Sequence, residues 1–255
     1  ARVLRPTRAY THAVAVLEQH HFAVLTGPPE MGKTAIARVL ALAALSDGWE
    51  THECLHPDEL WQSFRRDRRQ LFVADDAFGS TEYRPDTAER WALELDRVLG
   101  ALDERHWLIW TSRPTPLKAA LRRIHREHGV ERFPQPAEIG VDAAELDPTE
   151  KALMLFRHTV ASGAERPATT LVRAHGWDIV SHAHFTPERI RRFVDDRLLT
   201  LAAQAGRADI AAAVAEEIRE PTPAMAASYR ALAPEHRAVL LARVDMPPGP
   251  VGERE

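Results

Sequence analysis

The chain has 255 residues, more than a typical single domain, which points to two or three modules. Hydrophobic residues at 45% and charged residues at 27% are those of an ordinary globular protein, and a net charge of −4 gives no general attraction to nucleic acid or an anionic membrane. A lone cysteine, Cys54, excludes an intramolecular disulfide framework and fits a reducing cytoplasm, and no run approaches the ~18 apolar residues of a membrane span.

No signal-peptide pattern opens the chain. It starts at Ala1 rather than Met, which reads as a processed or excised piece of something longer. Lys33, Lys118 and Lys151 are the only lysines among 33 basic residues, a bias that makes each arginine less informative than usual.

Thr11 to Gln19 predicts a helix with Ala13, Val16 and Leu17 on one face. The stretch from His20 to Leu45 then organises the rest. Phe22-Ala23-Val24-Leu25 is an apolar run of strand length, and Ala35 to Leu42 is a helix-forming run. Between them Gly27-Pro28-Pro29-Glu30-Met31-Gly32-Lys33-Thr34 fits G-x-x-x-x-G-K-[ST], the phosphate-binding loop. Gly27 and Gly32 let backbone N–H groups face a phosphate with no Cβ in the way. The helix opening at Lys33, Thr34 and Ala35 adds unpaired N–H groups and its positive dipole end. Lys33 puts charge on the β- and γ-phosphates, and the Thr34 hydroxyl can ligate Mg²⁺. A plain Gly/Pro-rich surface turn would not require such flanks.

Ser46-Asp47-Gly48 ends that helix. Trp49 to Leu55 predicts a strand, and His56 to Phe64 a helix with Pro57 at its first position. Arg65, Arg66, Arg68 and Arg69 read as a solvated face ahead of a strand rather than a nucleic-acid patch. In Gln70 to Gly79 four apolar residues run into Asp75 and Asp76, as expected for a buried parallel strand opening on a ligand crevice. Asp75 is placed to hold Mg²⁺ and Asp76 to polarise the attacking water. Two aspartates capping the next turn would be the plainer reading, outweighed by the phosphate loop upstream.

Pro85 to Leu102 predicts an amphipathic helix whose Ala88, Trp91, Leu95 and Val98 are core. Arg105 to Pro114 predicts a buried strand ending in polar residues, with Thr111 and Arg113 as candidates for the γ-phosphate. The competing reading makes Thr111 and Ser112 caps of a helix from Pro116 to His125 and leaves Arg113 in solvent. Pro136 to Val141 reads as a weaker strand. The alternation gives an α/β fold, a three-layer parallel sheet of about five strands. From Asp147 onward the pattern is helical: Lys151 to Val160, Thr169 to Ser181, Pro187 to Leu201, Ala208 to Ile218, and a further pair within Pro221 to Val244 that includes Met225 to Tyr229. The Pro-rich tail from Asp245 reads as a linker. There is no internal repeat.

Taken together, GPPEMGKT, FVADDAFG, IWTSRP and HAHFTPERI resemble a STAND NTPase, and more narrowly the bacterial "novel STAND NTPase" families, over roughly Arg5 to Val244. The resemblance implies a P-loop core (1–145), an all-α lid (146–218) and a winged-helix-like region (219–255). It implies ATP/ADP and Mg²⁺ as ligands, and a switch between a closed ADP-bound monomer and an ATP-bound homo-oligomer within a longer parent protein. It also implies a cytoplasmic sensor in bacterial, antiviral defence, answering an unknown protein or nucleic-acid trigger, with no membrane partner. Carried over, Lys33 and Thr34 match the phosphate and Mg²⁺ ligands, Asp75 and Asp76 the acidic pair, and Arg113 the sensor arginine. Pro187 matches the lid proline that packs on the base, with His184 a weaker polar candidate beside it.

Two features depart from the pattern. Glu30 stands where many phosphate loops have a third glycine, and a carboxylate turned inward there would repel a nucleotide. The chain also ends too soon after Pro234 to Val244 for a whole winged helix. Three functions compete: a slow signalling ATPase, a nucleotide switch without useful turnover, and an AAA-type remodelling motor. The intact acid pair favours the first over the second. No pore-loop aromatic motif supports the third, for which Arg84 and the arginines from Arg122 to Arg126 are the candidate trans contacts.

Overall fold

A computed structural model describes residues 7–79, 83–128, 136–203, 210–219, 229–230 and 232–244. Five strands, β1 (Phe22–Thr26), β2 (Glu50–Glu53), β3 (Gln70–Ala74), β4 (His106–Ser112) and β5 (Gly140–Asp142), form one sheet in the order β2-β3-β4-β1-β5. Every pairing is parallel. Helix α1 (Arg8–His20) precedes them, and the helices between them are α2 (Lys33–Ser46), α3 (Pro57–Ser63), α4 (Pro85–Leu99), α5 (Pro114–His128) and α6 (Pro136–Ile139). The fold is the α/β parallel sheet of a P-loop NTPase. Strands β1, β3 and β4 are buried along nearly their whole length, which is why they read as unbroken apolar runs.

The core beneath the site is aromatic. Phe22, Phe78 and Trp91 meet Trp110 edge-on, with centroids 4.8, 4.9 and 5.1 Å apart. Phe78 stands two residues after Asp76, so burial of its ring pins the loop that carries Asp75 and Asp76.

A second buried cluster follows β5. It contains Leu155, Leu171, Ile179, Ile190, Phe193 and Leu198. These come from α7 (Pro148–Ala161), α8 (Arg166–Ser181), α9 (Pro187–Arg192), a π-helical turn at Phe193–Arg197 and α10 (Leu198–Ala203), with α11 (Ile210–Arg219) packed alongside. Asp147 opens α7 with a capping box, its side chain accepting from the Glu150 amide while Glu150 accepts from the Asp147 amide.

Three expectations change. Pro136 to Val141 is a single turn of helix, α6, followed by strand β5, because Pro136 suits a helix start while Gly140, Val141 and Asp142 pair with β1. The helix expected over Pro187 to Leu201 is interrupted by the π turn, where the sequence neighbours Phe193 and Val194 both bury. Helix α5 starts at Pro114 rather than Pro116. Helix α12 (Pro234–Val244) is the longest described element of the expected winged-helix-like region. Met225 to Ser228, the tail from Asp245 and Arg5 lie outside the described residues. No described helix is long and apolar enough to cross a membrane.

Candidate functional site

Parallel strands deliver their C-terminal ends to one edge, and four loops meet there. Register fixes their heights: Thr26 of β1 pairs with Ser112 of β4 and with Asp142 of β5. Ala74 of β3 pairs with Trp110, so Asp75 and Asp76 continue level with Thr111 and Ser112.

The loop after β1 is built as its glycines require. Gly27 has φ 147° and Gly32 φ 87°. A Cβ at Gly27 would lie 3.4 Å from Asp142 Oδ1 and 3.5 Å from the Ala144 amide. Lys33 opens α2 and is 7% exposed. Its Nζ donates to the Gly27 and Pro28 carbonyls, both at 2.8 Å, so the loop holds the ammonium at its own mouth. Burial pulls the Lys33 pKa below its ordinary value, Asp76 opposes that shift, and Arg113 adds to it.

The acid pair is held from two sides. Thr34 Oγ1 donates to Asp75 Oδ1 at 2.9 Å. Thr111 Oγ1 donates to the same oxygen at 2.5 Å and accepts the Asp76 amide at 2.8 Å. A hydroxyl beside a carboxylate is a hard-oxygen donor set that fits Mg²⁺, which keeps waters and takes phosphate oxygens as its other ligands. Among the described residues no group of three or more His, Cys, Asp or Glu could hold a metal ion. Asp76 sits at φ 49°. Its pKa is pushed up, first by burial and then by the Asp75 charge, with Arg113 and Lys33 acting against the shift.

A cavity of about 740 Å³ opens above this edge. Its lining runs from Pro29 through Ala35 to Asp76 and Arg113, and on to Tyr10, Leu146, Met154 and Pro187. Gly27 and Pro28 lie beneath, their carbonyls accepting from Lys33 Nζ. The two strand-end candidates separate. Arg113 lines the cavity, whereas buried Thr111 has its hydroxyl committed to the acid pair and caps nothing in α5.

Pro187 faces the same cavity as Lys33, but His184 does not: it is exposed, beside His182. Glu30 is turned towards α9, where it pairs with Arg189 at 3.2 Å and Arg192 at 3.1 Å. Of the candidate trans arginines, Arg84 is exposed and Arg123 pairs with Glu89 at 3.2 Å, while the Arg126 side chain lies outside the described residues. Sequence reasoning missed Tyr10, Leu146 and Met154. Tyr10, one half-buried aromatic in a helix that otherwise packs small aliphatics, is the one weak signal that could have found them.

Comparison with known proteins places this constellation. The family described as "Novel STAND NTPase 3" matches residues 4–161, from α1 through both halves of the phosphate site. The chain belongs to that family. As a novel STAND NTPase 3 protein it is a nucleotide-binding NTPase module. The family match ends before α9, so Pro187 and the arginines beside it stand on the structure alone. Domain III of the Thermotoga maritima replication initiation protein DnaA has a similar fold, with a TM-score of 0.54 at 12% identity over 85% of this chain and 94% of that one. At that identity the likeness is one of fold alone. No match was found among the curated proteins.

Proposed function

We propose that this chain binds ATP with Mg²⁺, hydrolyses it slowly, and uses its nucleotide state to control homo-oligomeric assembly within a longer bacterial defence or signalling protein of the cytoplasm. The observation that carries the reading is the hydrogen bond from Thr34 to Asp75 at the edge where Lys33, Asp76 and Arg113 line one cavity. Catalysis of phosphoryl transfer is mostly positioning and charge stabilisation, and these residues supply both.

In this reading the backbone N–H groups from Glu30 to Thr34 cradle the phosphates, and Lys33 leaves its carbonyl partners for the β- and γ-oxygens. Arg113 faces the γ-phosphate. Asp76 orients the attacking water and accepts its proton, a task suited to a carboxylate whose pKa is raised. Thr34 and Asp75 would hold Mg²⁺, which when bound neutralises charge on the phosphates. Tyr10, Leu146, Met154 and Pro187 enclose the base. The two separate buried clusters support a division into a core (1–145), a lid (146–218) and a following region (219–255), with lid closure setting exposure of an assembly surface. The trigger is a protein or a nucleic acid sensed elsewhere in the parent.

Calorimetry and steady-state phosphate release test the reading together. The parent is expected to bind ADP and ATP and to release phosphate slowly, and Asp76→Asn to keep binding while losing release. Undiminished release by the variant overturns the role of Asp76. Binding with no release by the parent makes the protein a switch without turnover.

A further inference from the structure

Glu30 occupies φ 67°, a left-handed backbone that favours glycine. Such a residue persists where its surroundings over-determine it. Here those surroundings come from one short stretch of the lid. Arg189 Nε donates to Glu30 Oε2 at 3.2 Å and Arg192 Nη1 to Oε1 at 3.1 Å. Thr186 Oγ1 reaches Oε2 at 3.4 Å, and the Glu188 amide donates to the Glu30 carbonyl, also at 3.4 Å. The pairs are shielded, with the Glu30 and Arg189 side chains 19% and 20% exposed.

Arg189 reaches further. Its Nη1 donates to the carbonyls of Ile218 at 3.1 Å and Arg219 at 2.9 Å. These are terminal carbonyls of α11, at the negative end of a helix dipole where a cation is favoured. One guanidinium therefore joins the phosphate loop to the last turn of α11. Arg192 is shared as well, its Nε bonding Glu188 at 2.9 Å.

We propose that Glu30 is a positioning residue through which the phosphate loop and the lid set each other's conformation, with Arg189 passing that state to the end of α11. The inference rests on the loop being the nucleotide site. Coupling of this kind is reciprocal. A nucleotide that reshapes the loop loads or releases the two arginines, and a lid that swings away frees Glu30 from its strained backbone. The glutamate at this loop position, where a glycine is usual, is then a device. It gives the lid a charged handle on the loop that glycine cannot offer.

Hydrogen exchange on the whole chain, with and without ADP, tests the proposal on the parent and on Glu30→Gln, Glu30→Gly and Arg189→Gln. Without ADP each variant is expected to speed exchange about tenfold across residues 186–192 and 214–219, leaving β1, β3 and β4 unchanged. Glu30→Gly accepts the left-handed backbone without strain, so it removes the handle while keeping the loop, and it serves if another variant fails to fold. The double variant Glu30→Gln/Arg189→Gln is expected to speed exchange by less than the two single effects combined, because both cut the Glu30–Arg189 bond. ADP should slow exchange at 214–219 in the parent and not in Glu30→Gln. Unchanged exchange at 186–192 in the single variants, or fully additive effects in the double one, overturns the proposal. A parent that binds no ADP instead overturns the nucleotide reading, and the ligand-free comparison still decides the link.

Discussion

The Thr34 hydroxyl donates to Asp75 Oδ1 at 2.9 Å, joining the first turn of α2 to the end of β3 across 41 residues of chain. Neither partner could be placed there by local propensity. The contact exists because β1 and β3 both end at the same edge of a parallel sheet, one strand apart, with β4 between them. Thr111, at the end of that intervening strand, completes the arrangement by donating to the same oxygen.

Lys33→Ala should weaken ADP binding about 10- to 150-fold, as expected for losing a charge-assisted contact of roughly 1.5–3 kcal/mol. The loss should fall mainly on affinity, with a smaller cost to the fold, since of the two residues whose carbonyls Lys33 now serves Pro28 is exposed and Gly27 is buried. Calorimetry checks it, and equal affinities would rule out the phosphate-loop assignment.

Thr111→Val keeps the volume and deletes a hydroxyl that is fully buried. It leaves the Asp76 amide without its acceptor and Asp75 with Thr34 in place of two hydroxyl donors, a cost of about 1–3 kcal/mol. Denaturant unfolding should show that loss, and phosphate release should fall as the acid pair loses its aim. A variant as stable as the parent would mean that water replaces the hydroxyl.

Asp76→Asn should stabilise the ligand-free protein at pH 7. An acid whose pKa rises on folding holds its proton more tightly in the folded chain, so its ionisation removes stability as pH climbs past the ordinary 3.8. Asn escapes that loss and, like Asp, tolerates φ 49°. The gain in Tm should therefore be largest at neutral pH and shrink away as pH falls towards 3.8. Calorimetric scans across that range check it, and a lower Tm for the variant at pH 7 would contradict it.

An azido-adenine nucleotide should label the slot lined by Tyr10, Leu146, Met154 and Pro187. A phosphate loop grips only phosphates, so the base needs an apolar surface, and a proline ring offers one at little entropic cost. Mass spectrometry locates the label. Attachment far from Tyr10 and from 186–190, with the phosphate site occupied, would show that the lid does not cover the base.

The sequence by itself determined the parts whose physics is local. The spacing of Gly27, Gly32, Lys33 and Thr34 is imposed by backbone that must wrap a phosphate within a few residues. The apolar runs Phe22 to Leu25 and Leu71 to Ala74 are imposed by burial on both faces. The acid pair was legible because an apolar strand running straight into two charges has few other uses.

Only the tertiary structure decided what depends on distant partners. Glu30 finds Arg189 and Arg192, 159 and 162 residues away, which turned a feared repulsion into an ion-paired link. Thr111 became a support for the acid pair through strand register, and His184 fell outside the cavity that Pro187 lines. Tyr10, Leu146 and Met154 line one cavity although, beyond the lone aromatic of Tyr10 in α1, nothing in their own segments marks them. Helical periodicity says which face of a helix is buried but not what that face is buried against.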